Sequence, residues 1–265
     1  MSGLRTQLIG TGRPRFAFLH GLFGRGRNWS GIAGALAERG YSSVLFDLPN
    51  HGASDWTDEF SYQQMADAVA AEIEQRLGSA ARLILVGHSM GGKVAMLLAL
   101  RRPELVDALV VIDIAPAVSE GVDGFPRLVA AMAAVELDRL QVRGDAEAVL
   151  AERIAEPGVR QFLLQNLRAR PRWHWQPNLR LLSANLDLIA AWPDPGPVSY
   201  PGPVLWLRGE RSDYVRDQHL PAMRRLFPAV ELRTVADAGH WVQADNPEAV
   251  VAALAELADR LAGPA

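Results

Sequence analysis

Short, almost unbroken apolar runs alternate along most of this chain with longer stretches whose apolar positions recur every three or four residues. The short runs are Phe16-Ala17-Phe18-Leu19, Ser43-Val44-Leu45-Phe46, Leu83 to Val86 leading into Gly87-His88, Leu109-Val110-Val111-Ile112 and Val204-Leu205-Trp206-Leu207, with the mixed run Val230 to Val235 after them. An apolar run of this length predicts a strand buried on both faces, as parallel sheets require. The longer stretches predict helices. One runs from about Trp29 to Arg39 and is closed by Gly40; another runs from Tyr62 to Leu77, with Met65, Val69 and Ile73 on one face and Gly78 as its stop. A third follows Ser89 and ends before Pro103, and two more lie near 219–227 and 247–261. Strands that alternate with helices predict an α/β fold, a mostly parallel sheet with helices on both faces.

The alternation breaks after Pro116. Residues 125–191 read as mostly helical, without a strand of the earlier quality, and Pro193 to Pro203 reads as a proline-rich linker. The expected organisation is therefore a core of residues 1–116 and 200–265, with residues 117–199 as a helical cap inserted after the strand ending at Asp113. The 265 residues are 49% hydrophobic, ample for one large α/β domain with an insertion. A net charge of −3 supplies no basic stripe for nucleic acid. Basic residues are arginines except for Lys93, which reads as compositional bias. The absence of cysteine excludes disulfides and thiolate chemistry. No apolar run is long enough to span a bilayer, and the N-terminal Met-Ser-Gly-Leu-Arg-Thr-Gln has no apolar signal segment. The expectation is a soluble cytoplasmic protein.

Gly87-His88-Ser89-Met90-Gly91 lies between a predicted strand and a predicted helix, the context a G-x-S-x-G nucleophile turn needs. That turn lifts the serine hydroxyl above the sheet edge in a strained backbone conformation, where flanking side chains would collide with strand and helix. A plain helix cap would explain Ser89 but not the paired glycines. A serine hydroxyl needs a base, and the base needs an acid to orient it. His240, in the loop after the last strand, is the expected base, and Gly239 is expected to let that loop turn tightly. The expected oxyanion donors are the N–H groups of Met90 and of Leu22, the latter in His20-Gly21-Leu22-Phe23-Gly24. Three aspartates compete as the acid. Asp113 ends a strand and is preferred; Asp213 lies one place after the usual position, which holds Ser212; Asp187 lies in the insertion. Phe23, Met90, His88 and Trp241 adjoin these groups and are expected at the substrate pocket. His20 and His88 also read as structural hydrogen-bonders in tight turns, Asp47 to Ser54 as a rigid turn, and Met132, Leu137 and Leu140 as helix packing.

Over nearly its whole length the chain resembles the α/β-hydrolase superfamily. His-Gly-Leu-Phe-Gly (20–24), Gly-His-Ser-Met-Gly-Gly-Lys (87–93), Val-Ile-Asp-Ile-Ala-Pro (111–116) and Ala-Gly-His-Trp-Val-Gln-Ala-Asp-Asn-Pro (238–247) resemble the YbfF/ABHD11-type esterases. The resemblance implies an acid on the strand before the cap, matching Asp113, and a serine at the usual acid position, matching Ser212. It also implies hydrolysis of small-molecule esters with short or medium acyl chains, sometimes thioesters, and no cofactor. The six histidines are dispersed and offer no metal spacing. Two other readings use the same scaffold: cofactor-free perhydrolysis or C–C bond hydrolysis, and a ligand-binding protein without turnover.

Overall fold

The computed structural model describes residues 3–119 and 124–263. Met1 and Ser2 of the N-terminal stretch, residues 120–123 of the expected cap, and residues 264 and 265 lie outside the described residues. Strands β1 (Thr6–Ile9), β2 (Phe16–Leu19), β3 (Ser43–Phe46), β4 (Leu83–His88) and β5 (Val106–Ile112) precede the inserted stretch. That stretch holds the short β6 (Leu167–Arg168) and β7 (His174–Trp175), and β8 (Val204–Gly209) and β9 (Val230–Val235) follow it. Seven strands form one sheet in the order β1-β3-β2-β4-β5-β8-β9. Every pairing in it is parallel except that of β1 with β3.

The strand side chains alternate between two apolar layers, as the pleat requires. Ala17, Leu19, Val44, Phe46, Leu85 and Val111 face one layer, where they meet helices α2 (Tyr62–Leu77) and α3 (Met90–Arg101) through Met65, Val69, Ile73 and Val94. Phe16, Phe18, Leu45, Val86, Val110 and Leu205 face the other. There they meet α1 (Ser30–Glu38) and the C-terminal α11 (Pro247–Ala262) through Ile32, Leu36, Val250 and Leu254. Local signals fix the helix ends. The Ser61 side chain accepts from Gln64 N–H at the start of α2 at 3.2 Å, and Gly78 closes it at φ +82°.

Between β5 and β8 the chain forms α4 (Gly124–Ala133), α5 (Arg143–Ala151), α6 (Pro157–Leu164), α7 (Leu179–Ala184) and α8 (Leu186–Ala190). The stretch is mostly helical; a ribbon of two two-residue strands, β6 and β7, lies among the helices. Met132 and Leu140 are buried in this stretch, and Leu137 packs against the same core. The stretch is fastened to loops at the carboxyl ends of the sheet. Asn166 Nδ2 donates to Phe23 O at 2.6 Å and Asn178 N to Asn50 O at 2.9 Å. The buried Lys93 ammonium donates to the carbonyls of Ile189, Ala190 and Ala191 at 3.1, 2.7 and 2.8 Å. Among the described residues no helix is long and apolar enough to cross a membrane. Two short helices complete the fold, α9 (Leu220–Leu226) and α10 (Val242–Asp245).

Candidate active site

Ser89 joins β4 to α3 with φ +53° and ψ −120°, a conformation L-residues avoid. The packing around it explains the glycines. A Cβ on Gly87 would sit 2.3 Å from Gly91 O, and one on Gly91 would sit 2.4 Å from His20 O. Met90 opens α3, so its N–H has no acceptor within the helix. The glycine loop after β2 lies against Ser89. Gly24 N–H closes a turn on Gly21 O at 2.9 Å, and a Cβ on Gly21 would approach His88 Nδ1 at 2.9 Å and Ser89 Cβ at 3.3 Å.

His240 Nε2 lies 3.0 Å from Ser89 Oγ, and His240 Nδ1 lies 2.8 Å from Asp113 Oδ2. Asp113, at φ +50° just past β5, is fully buried. Its Oδ1 accepts Gly209 N–H at 3.0 Å, and its Oδ2 also accepts the Ser212 hydroxyl. The other two aspartates lie elsewhere: Asp213 is exposed and paired with Arg216 at 3.4 Å, and Asp187 is exposed at the start of α8. Gly239 does not supply the tight turn expected of it. A Cβ there would meet only Asp245 Oδ2, at 3.4 Å, and it is Asp237 that takes the positive φ of +55°. The glycine this loop needs is Gly209, where a Cβ would fall 2.2 Å from Gly239 O.

Two neighbours hold His240, one at its ring and one at its backbone carbonyl. Tyr214 stacks on it with centroids 3.8 Å apart and planes 20° apart. His88 Nε2 donates to His240 O at 2.8 Å. Burial, reinforced by the nearby His240 and His20, pushes His88 down to about 3, so it stays neutral. Burial likewise pushes His20 down to about 4. Its Nε2 accepts Leu48 N–H at 2.9 Å and its Nδ1 donates to Gly21 O at 2.8 Å, which tethers the glycine loop to the turn after β3. Tyr214 is raised, by burial first and Asp113 second. Nothing local in the sequence marks Tyr214; it reaches His240 because the loops after β8 and β9 converge.

The crevice above Ser89 is lined by Phe23, His88, His240 and Trp241 from the sheet loops and by Phe125 and Phe162 from the inserted stretch. Its free volume of about 30 Å³ is room for roughly one water. Met90 faces a second, smaller recess between Ser89, Tyr62 and Tyr214. Phe125 and Phe162 were not evident in the sequence, because their helices carry no marker of which face meets the core.

The α/β-hydrolase fold family model matches residues 14–247. The chain belongs to the α/β-hydrolase fold family. Within it, the chain is 42% identical over 241 residues to the sn-1-specific diacylglycerol lipase ABHD11 of Mus musculus, covering 89% of this chain and 78% of that one. It is 33% identical over 237 residues to esterase YbfF of Escherichia coli strain K12, covering 89% of each. Among solved structures, a marine microorganism esterase superposes with a TM-score of 0.90 at 31% identity, covering 97% of this chain and 99% of that one. The seven-stranded sheet, with its antiparallel edge at β1, is thus this chain's version of the α/β-hydrolase scaffold.

Proposed function

We propose that this chain is a serine esterase that works through Ser89, His240 and Asp113. The chain is a carboxylic ester hydrolase of the α/β-hydrolase kind; the residue roles and acyl range are our reading. Ser89 Oγ attacks the acyl carbon while His240 Nε2 takes its proton. Asp113 keeps the proton on Nδ1 and stabilises the imidazolium. The Leu22 and Met90 N–H groups receive the developing oxyanion, each worth about 2.7–4 kcal/mol in the transition state. His240 then returns the proton to the leaving alcohol or thiol and activates the water that frees the acid.

The observation that carries this reading is one imidazole lying 3.0 Å from a hydroxyl on a strained turn and 2.8 Å from a buried carboxylate. Residues 117–199 act as the lid in this reading. Phe125 and Phe162 close the crevice over Phe23, His88 and Trp241, so the lid must shift to admit an acyl chain. The narrow apolar crevice favours short to medium acyl groups, as oxygen esters or thioesters, within the cytoplasm. The test is a panel of p-nitrophenyl esters of graded chain length. Wild type should hydrolyse the short members, and Ser89→Ala should lose at least three orders of magnitude in kcat/KM. Full activity in Ser89→Ala, or none in wild type across the panel, overturns the reading.

A further inference from the structure

Away from the serine crevice, a cavity of about 520 Å³ opens between β1, the loop after β2 and the β6–β7 ribbon. Arg25, Arg27 and Arg168 reach its walls, and Arg143 at the start of α5 is close enough to act on Arg25 and Arg168. Together with Arg5, four arginines from three separate parts of the chain therefore line one hollow, with Arg143 beside it, in a molecule whose net charge is −3. Their partners do not balance them. Among the described residues none of these arginines makes an ion pair with a carboxylate; Arg143 and Arg168 spend their donors on backbone carbonyls of residues 164–167. Arg25 is half-buried, and its Nε is buried with no hydrogen-bond partner. The carboxylate that faces them is Asp47. Its oxygens are already engaged by Gly26 N–H at 2.7 Å and Ala53 N–H at 2.8 Å.

Buried donors are ordinarily paired, and like charges ordinarily avoid a shared hollow. Burial and the neighbouring arginines both disfavour the charged form of Arg25 and of Arg168, so the arrangement stores repulsion that an anion would relieve. Guanidinium groups converging on one cavity match the oxygens of a phosphate, which they bind in pairs of parallel hydrogen bonds. We propose that this cavity is an anion site for a phosphate group, held by Arg25, Arg27 and Arg168 with Arg143 supplying field. Arg25 directly follows the glycine loop that lies against Ser89, so a phosphate bound here stiffens that loop from its far side.

The test is titration calorimetry with inorganic phosphate at low ionic strength, beside sedimentation with phosphatidylcholine vesicles containing phosphatidylglycerol. Neither readout depends on ester turnover, so failure here leaves the serine reading standing. Wild type should bind phosphate, and Arg25→Gln/Arg168→Gln should weaken it at least tenfold. Arg27→Gln, at an exposed position that leaves the fold intact, should weaken it severalfold. Arg224→Gln/Arg225→Gln on α9 should match wild type. Binding to anionic vesicles alone, lost in Arg25→Gln/Arg168→Gln, would also support the site and assign its phosphate to a lipid headgroup. No binding in either arm, or equal binding by all variants, overturns the proposal.

Discussion

Three donors converge on the fully buried carboxyl of Asp113: Gly209 N–H, the Ser212 hydroxyl and His240 Nδ1. An asparagine would fit the same space and could accept from Gly209 through its oxygen. Its NH₂ would then face Nδ1, forcing the proton of His240 onto Nε2, the nitrogen that accepts from Ser89 in the proposed mechanism. Asp113→Asn should therefore lower kcat by about 10⁴ on the strength of the tautomer alone. Asp213→Asn, which removes an exposed partner of Arg216, should leave kcat within about twofold of wild type. Steady-state kinetics on one short ester decides it, and the reverse ranking would move the acid to Asp213. The sequence marks Ser89 because strand, turn and helix are contiguous there. The neighbourhood of Asp113 is far less legible. Ser212 and Tyr214 reach it across about a hundred residues, through packing of Gly209 against the Gly239 backbone that no local pattern encodes.

At the scale of elements, legibility follows burial. β2, β3 and β4 are buried along their length, so their runs of apolar residues announce them. β1 is an edge strand whose central Gln7 and Leu8 are exposed, and its sequence gives no strand signal. The start of β5 is hidden by Asp107, which pairs with Arg15 and Arg82 at the sheet's rim. Lys93, which composition alone passes over as bias, proves to be the fastening of the inserted stretch. Burial alone would push its ammonium down to about 7, while three carbonyls at the end of α8 supply one acceptor for each N–H and act the other way. Ile189 O and Ala190 O have second partners in the Tyr62 hydroxyl and Ser119 N–H. Lys93→Met thus orphans Ala191 O above all, at a cost of about 1–3 kcal/mol. We expect Tm to fall by roughly 2–12 °C, about 2–4 °C for each kcal/mol in a chain of this size, and limited proteolysis to cut faster within 117–199. An unchanged melt and an unchanged cleavage pattern would mean that the apolar contacts of the insertion suffice to hold it.

Across the whole molecule, ion pairs and buried histidines respond to solution conditions in opposite ways. Among the described residues most ion pairs are arginine–carboxylate contacts with at least one half-exposed partner, such as Arg101 with Asp67 and Arg260 with Glu256. Pairs of that kind contribute little individually and are screened by salt. The buried histidines are different. His20, His51 and His88 sit at the carboxyl end of the sheet, with the His20 and His51 rings 5.1 Å apart. Burial is the main cause that holds them neutral, at about 4 for His20 and about 3 for His51 and His88, against an ordinary 6.5. Since the folded values lie below the unfolded one, the unfolded chain takes up protons that the folded chain refuses as pH falls below 6.5. Their contribution is therefore complete above pH 6.5 and is lost progressively between there and about pH 3, where the lowest folded values lie. Three such groups give a slope of about 4 kcal/mol per pH unit, at about 1.36 kcal/mol for each proton. For a reserve of about 6–10 kcal/mol, within the typical 5–15 kcal/mol, this places cooperative acid unfolding near pH 4–5, with an uptake of close to three protons and little dependence on added salt. Far-ultraviolet circular dichroism titrated from pH 8 to pH 3 at two ionic strengths measures both quantities. A fold still intact at pH 3.5, or a transition steepened and shifted by salt, would show that the rim of charges rather than the buried imidazoles governs stability in acid.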